Sequence, residues 1–460
     1  MPRPVPAKVF GSDFDEPSSG SSPRRAAERA AVVKQARHLA NLRNDPDHLA
    51  KNVALLQQRR ARRPDLVPFE AVPGDGIDAF VVPGELLVRR RDLGEPGVVE
   101  LIADLGLEVA ELEAGARSAP AVVRLVEVER DPARSRLRGR MGGVVGELRR
   151  RRVTPLVSLR YLCPLGAVIK GEGGPEPSTR AREFPLRPDG LPDVVVAVVD
   201  TGISAEQRGD GWLQGLLGPD NEDLLDAIPQ PDGALDLAAG HGTFVAGVVQ
   251  QVAPHAGLLV LRATDTDGVG TDSAVAEAVL EAAEAGARII NLSLGTQTVD
   301  DEGPLALRVA LETLFEQHPD VLVVAAAGNY GDTRPCWPAA FAEEFPGVVS
   351  VGGLTPSGVG APWSSHGPWV RCAAVGEGVV STYVIGTEDV RVEDPPDTFG
   401  PDSWATWTGT SFAAPQIAGA VARRCQEKPA LTPREALETL LAGATPLAGF
   451  GAAVEILPGT

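Results

Sequence analysis

A chain of 460 residues is too long for one ordinary domain and predicts two or three. Residues 1–190 hold 32 Lys+Arg and 26 Asp+Glu (net +6), whereas residues 191–460 hold 11 and 36 (net −25), for an overall −19. So acidic a body repels nucleic acid, no apolar run reaches membrane-spanning length, and Cys163, Cys336, Cys372 and Cys425 form no metal-ligand pattern, so no nucleic acid, membrane, metal or other cofactor is expected. The first residues, Met-Pro-Arg-Pro-Val, lack the basic-then-apolar pattern of a secretory signal, which makes a cytoplasmic location the expectation.

Residues 1–23 are rich in Pro, Ser and Gly and read as disordered. A helix is expected from Pro23 to Arg43, with Val32, Ala36, Leu39 and Leu42 on one stripe. A second begins at Asp45-Pro46, an N-cap followed by proline at the first helical position, and carries Leu49, Val53 and Leu56. It ends in Arg59, Arg60, Arg62 and Arg63, which suit the negative end of the helix dipole; of two readings, binding something acidic or capping the helix and facing water, the second is the expectation. Residues 75–165 read as a small α+β unit. Its strands are Ala79–Val82 with Glu85–Arg89 around Pro83-Gly84, Leu107–Leu112, Ala121–Val128 and Val153–Leu159, and its helices are Val98–Leu105 and Arg138–Arg151. Residues 170–190 show no periodicity and read as an exposed linker.

From Leu191 the pattern changes. Continuous apolar runs at Val194–Val199, Gly257–Leu261, Arg288–Leu292, Val321–Ala326 and Val348–Val351 read as strands buried on both faces. Helical stretches such as Asp272–Ala287 and Pro304–Gln317 lie between them, which predicts a parallel sheet covered on both sides. Active sites in such sheets lie at the carboxyl ends of the strands.

Three glycine-flanked segments carry the chemistry. Asp200 follows its strand directly in Val198-Val-Asp-Thr-Gly202, His241 opens an apolar helix in Gly240-His-Gly-Thr243, and Ser411 precedes an alanine-rich helix in Gly409-Thr-Ser-Phe-Ala-Ala-Pro415. Carboxylate, imidazole and hydroxyl are the set needed for a serine nucleophile with a general base and an orienting acid. Each segment alone has a plainer reading: Asp-Thr-Gly also marks aspartic proteases, although no second copy is present, and Ser411 also fits a helix N-cap. Asn329, closing Ala325-Ala-Ala-Gly-Asn329, fits either a turn or an amide that donates to an oxyanion together with the Ser411 backbone N–H.

With Val194–Ile203, Gly240–Gly247, Asn291–Gly295, Ala325–Asn329, Trp363–Trp369 and Gly409–Gly419 in this order, residues 191–460 resemble a subtilisin-like (subtilase) serine protease. The resemblance implies a parallel central sheet with helices on both faces, preceded by a small α+β, ferredoxin-like propeptide domain. Residues 1–65 would be a disordered tail and helical segment, 66–165 the propeptide-like inhibitor domain, 166–190 the linker and 191–460 the catalytic domain. It implies that Asp200 is the orienting acid, His241 the general base, Ser411 the nucleophile and Asn329 the oxyanion amide. Gly268-Val269-Gly270 and Ser293-Leu294-Gly295 would be edges that pair with an extended substrate. Gly295 would line the first specificity pocket, Gly328 counts among the substrate-binding residues, and Cys336 would make the pocket floor shallower.

The segment Val248–His255 leaves no room for the calcium loop of many relatives, Phe244 and Gln416 stand where histidines are common, and Ala374-Val375-Gly376 lacks a usual proline. The expected function is a serine endopeptidase acting on polypeptides, autoinhibited by its N-terminal region, with residues around 165–185 in the cleft and cut by Ser411. Two alternatives keep the enzyme. One is a partner-activated protease of a signalling or defence system, whose N-terminal helices bind a protein activator; the other is a leader-peptide maturation protease.

Overall fold

The computed structural model describes residues 7–8, 23–73, 78–112, 121–129, 134–153, 156–164, 174–185, 193–218, 220–391 and 394–459. The tail expected over 1–23 lies mostly outside these residues. Its described part is a two-residue strand β1 (Ala7–Lys8) and the start of helix α1 (Pro23–Asn44). Helix α2 (Pro46–Arg60) follows, its entry fixed by the Asp45 carboxylate, which accepts from the Asp47 N–H at 3.1 Å. The end of α2 does not face water as expected. Arg59 and Arg60 are buried, their aliphatic stems covered and their guanidinium groups paired with Asp236, Asp267 and Asp265 from the acidic half of the chain.

The next unit is an antiparallel sheet with two helices: β2 (Glu70–Val72), β3 (Ala79–Arg89), α3 (Pro96–Leu105), β4 (Leu107–Ala110), β5 (Val122–Glu127), α4 (Met141–Arg151) and β6 (Val157–Tyr161). The long central β3 pairs with β5 and β6, β4 pairs with β5, and β2 joins the first part of β3. Pro83-Gly84 does not split β3 in two. Gly84 adopts φ 80°, a conformation open to glycine, and absorbs the register shift between Val81 and Leu86. The last strand starts later than expected because Val153 caps the core at the end of α4, where its N–H bonds to the Leu148 carbonyl. Alternation along β3 gives the sheet two apolar faces: Leu86 and Val88 pack with Leu101 and Leu148 of its own helices, whereas Leu87 packs into the larger body.

That body begins with β7 (Glu176–Ser178), which lies inside the stretch expected as an exposed linker. It continues with β8 (Val195–Asp200), α5 (His241–Val252), β9 (Gly257–Arg262), α6 (Asp272–Glu284), β10 (Ile289–Leu292), α7 (Leu305–Gln317), β11 (Leu322–Ala326) and β12 (Val348–Leu354). Then come β13 (Cys372–Val375), β14 (Val379–Thr382), β15 (Gly386–Thr387), β16 (Thr398–Phe399), β17 (Trp404–Trp407), α8 (Thr410–Glu427), α9 (Pro433–Leu441), β18 (Thr445–Leu447) and β19 (Gly451–Glu455).

The main sheet runs β1-β19-β13-β12-β11-β10-β8-β9 with every neighbour parallel, and β18 adds to β19 antiparallel. Successive strand residues serve opposite faces. Val196 and Val198 pack with α5 and α8 through Phe244, Val248, Ile417 and Val421, and Ala197 and Val199 pack with α6 and α7 through Val275, Val279, Leu311 and Leu314. The small sheet docks on the α6–α7 side, where Leu87, Leu112 and Val122 enter the same core. There Arg89 grips Glu312 with two parallel hydrogen bonds of 2.6 and 2.7 Å. A separate sheet β14-β17-β7 is antiparallel, so residues 176–178 are tied to the strand that leads into α8. Among the described residues no helix is long and apolar enough to cross a membrane.

Candidate active site

Asp200 ends β8 at the carboxyl edge of the sheet and is fully buried. One carboxylate oxygen takes two hydrogen bonds, from the Thr201 N–H at 2.8 Å and the His241 Nδ1 at 2.7 Å. His241 is held at the first turn of α5 by a backbone contact that only glycine permits. A Cβ on Gly242 would lie 2.2 Å from the Gly202 carbonyl oxygen, so the start of the helix sits directly on the turn that follows Asp200. Two residues the sequence reading passed over complete this joint. Thr201 Oγ1 accepts from the Gly242 N–H at 3.1 Å and donates to Asp223 at 2.7 Å, and Asp223 accepts from the Gly240 N–H at 2.9 Å. Burial pushes the Asp223 carboxyl upward and these hydrogen bonds draw it back. The signal for Thr201 was its place between Asp200 and Gly202; Asp223 had none.

Ser411 occupies the first turn of α8, where helix N–H groups favour developing negative charge. Its hydroxyl donates to the Ser293 carbonyl at 3.1 Å, and the Ser293 hydroxyl donates to the Ser411 carbonyl at 2.7 Å. The serine is thus stapled to the Ser293–Gly295 edge. The His241 ring sits edge-on to Trp407 at 5.3 Å between centroids and tilted over Phe412 at 5.4 Å, so its position depends on residues on both sides of Gly409.

Asn329 is oriented by Thr410, another residue not anticipated. The Asn329 side-chain oxygen accepts from the Thr410 N–H at 3.0 Å and from its hydroxyl at 2.9 Å. This commits the oxygen and turns the amide nitrogen, a donor, toward Gly409 beside Ser411. Asp200, His241, Asn329 and Ser411 are therefore gathered at one place, all buried.

The two expected edges are also side by side, and the chain's own residues lie between them. Leu162 bridges antiparallel to Thr271, the Cys163 N–H donates to the Gly270 carbonyl at 2.8 Å, and the Gly295 N–H donates to the Pro164 carbonyl at 3.2 Å. Gly268 takes the left-handed turn at φ 80° that starts this edge, and Val269 is buried against α2 and β3 through Leu56 and Phe80. Leu294 and the fully buried Cys163 join one core cluster with Cys336. Cys336 stands between Gly295 and Gly328, and its buried thiol is pushed upward. Of the stretch 165–185 expected in the cleft, residues 165–173 lie outside the described residues, and 176–178 form β7.

Comparison with known proteins agrees with this architecture. The model of the subtilase family matches residues 192–455. Thermitase of Thermoactinomyces vulgaris is 31% identical over 240 residues, covering 49% of this chain and 72% of that protein. Subtilisin DY of Bacillus licheniformis is 29% identical over 264 residues, covering 55% and 85%. Mycosin-3 of Mycobacterium tuberculosis is 29% identical over 344 residues, covering 62% and 70%. Fervidolysin of Fervidobacterium pennivorans, described as a keratinolytic enzyme related to subtilisin, shares the fold at a TM-score of 0.52 and 20% identity, over 85% of this chain and 62% of that one. The match spans more than half of the chain and contains the whole cluster around Asp200: the chain belongs to the subtilase family, the subtilisin-like serine endopeptidases.

Proposed function

We propose that Ser411 is the nucleophile of a peptide-bond hydrolase, with His241 as general base, Asp200 as orienting acid and Asn329 as oxyanion donor. The observation that carries this reading is the 2.7 Å bond from Asp200 to His241 Nδ1, which leaves Nε2 as the nitrogen free to take a proton. His241 removes the Ser411 hydroxyl proton as Oγ attacks the carbonyl carbon. The negative oxygen of the tetrahedral intermediate accepts from the Asn329 amide and the Ser411 N–H. Protonated His241, held beside the Asp200 carboxylate, passes its proton to the leaving amine; water then resolves the acyl-ester by the same route in reverse. A fluorophosphonate probe tests it: the wild-type chain should label and Ser411→Ala should not.

The N-terminal region acts as an inhibitor in this proposal. Residues 162–164 take the place of substrate backbone between Gly270 and Gly295. The helix pair holds both rims. From α1, the buried Gln35 donates to the Thr406 carbonyl at 3.0 Å and the Gly174 carbonyl at 2.7 Å, and accepts from the Thr408 hydroxyl at 2.8 Å. From α2, Arg59 reaches Asp267, next to Gly268. This strap supports a second reading, activation by a partner that lifts α1 and α2. Adding the double variant Gln35→Ala/Arg59→Ala to the probe assay tests the strap: labelling should be faster than in wild type, and an unchanged rate counts against it.

A further inference from the structure

We propose that Tyr330 and Cys336 fill the first specificity pocket and restrict this enzyme to bonds that follow a small residue, glycine or alanine. The inference rests on Ser411 being the nucleophile. The carbonyl under attack must then reach Ser411 and face the Asn329 amide, so the residue that bears it lies between the Ser293–Gly295 edge and Gly328-Asn329. Pro164, whose carbonyl accepts from the Gly295 N–H, lies on the first of these two sides. The side chain of the attacked residue has one way to go, into the slot between Gly295 and Gly328.

That slot is occupied. A Cβ built on Gly295 meets the Cys336 sulfur at 2.8 Å and the Trp337 carbonyl oxygen at 3.0 Å. A Cβ built on Gly328 meets the same sulfur at 2.8 Å and two ring carbons of Tyr330 at 3.1 and 3.2 Å. One thiol therefore touches both walls, and a phenol ring backs it. Neither group has room to swing away: Cys336 and Tyr330 belong to the dense core shared with Leu294 and Cys163. The floor itself is pinned: Thr296 and Trp337 exchange two backbone hydrogen bonds of 2.8 Å each. Close-packed interiors yield little, so a leucine or phenylalanine side chain would have to displace buried atoms.

The chain's own sequence past Pro164 reads Leu165-Gly166-Ala167, so small residues are present where self-cleavage would occur. The test is a peptide library varied at the residue before the cut, digested by the self-processed full-length protein, with products read by mass spectrometry. Fluorophosphonate labelling is run on the same sample. Cleavage after Gly and Ala at rates ten-fold or more above Leu and Phe is expected, since one methylene in a filled pocket is worth about 10–200-fold. Cys336→Gly should raise cleavage after Leu by about ten-fold relative to Ala, and Tyr330→Ala should extend the gain to Phe. A labelled wild-type enzyme that cuts after Leu or Phe as fast as after Ala overturns the pocket inference and leaves the nucleophile standing. A Gln35→Ala/Arg59→Ala chain, its strap released, that still takes no probe overturns the nucleophile assignment and this inference with it.

Discussion

Arg59 grips Asp267 with one edge of its guanidinium, Nε at 3.0 Å from one carboxylate oxygen and Nη2 at 2.9 Å from the other, and both residues are buried. The same guanidinium bonds to Asp236 and to the Ile228 carbonyl, and Asp389 lies 3.9 Å away. A helix that carries little apolar surface of its own is thereby fixed to the edge of the substrate cleft by a fork-shaped ion pair.

Removing that pair should be costly, because the carboxylates stay behind unpaired. Arg59→Ala is expected to destabilise the docked state by about 3–5 kcal/mol. Thermal melting and limited proteolysis of the full chain check this: α1 and α2 should become the first protease-sensitive segments. A wild-type digestion pattern would mean that the apolar contacts of Val53, Leu55 and Leu56 hold α2 without the ion pair.

The same nest predicts a pH dependence. Burial raises the Asp236 carboxyl from 3.8 to about 7; hydrogen bonds from Ala227 and Ile228 and the charge of Arg59 pull it down, and Asp267 pushes it up. Because the folded value exceeds the unfolded one, the contribution of Asp236 is fully present below pH 3.8 and is lost as the pH rises through about 7. Asp267 is raised in the same direction by desolvation, whereas Asp389 is lowered and so loses its contribution only in acid. Melting temperature of the full chain should fall between pH 5 and pH 8, and Asp236→Asn should flatten that slope. Parallel slopes for the two proteins would contradict the assignment.

Gly242→Ala should separate the paired carboxylate and imidazole. The added methyl would meet the Gly202 carbonyl oxygen at 2.2 Å, and both partners are backbone that cannot rotate aside. Loss of probe labelling with a lowered melting temperature is expected. Retention of both would show that α5 can slide without cost.

Asn329→Leu should lower kcat by about 10²–10³ with KM nearly unchanged, as expected of a donor used only in the transition state. Ser411→Ala should lose about 10⁶-fold, the size of loss known for subtilisin. Thr410→Val should mimic a weakened Asn329, since it removes the hydroxyl that fixes the amide. Equal kcat for Thr410→Val and wild type would mean that the Thr410 N–H suffices.

The cluster around Asp200 was legible because its segments carry local constraints. Gly242 and Gly202 are needed for backbone contact and Gly240 for its positive φ under Tyr383 and Val384, and the chain announces such needs with glycine. The buried runs from Val194 onward were equally plain, since two-sided burial leaves an apolar run. What escaped was long-range polar contact. Asp223, Thr410 and Gln35 each act through hydrogen bonds to residues far along the chain, and nothing in their neighbours marks them. Arg59 and Arg60 read as solvated because their partners are supplied by another part of the fold. The β7 strand was missed for the same reason: Glu-Pro-Ser has no strand pattern, and only its pairing with β17 makes it one.

The pairing of residues 162–164 with Gly270, Thr271 and Gly295, together with that of 176–178 with β17, bears on timing. Hydrolysis between the two anchored stretches would alter connectivity and leave every one of these contacts in place. The nicked molecule would hold its own N-terminal part at high effective concentration. Maturation would then be governed by an off-rate, with the cut serving only to make departure permissible.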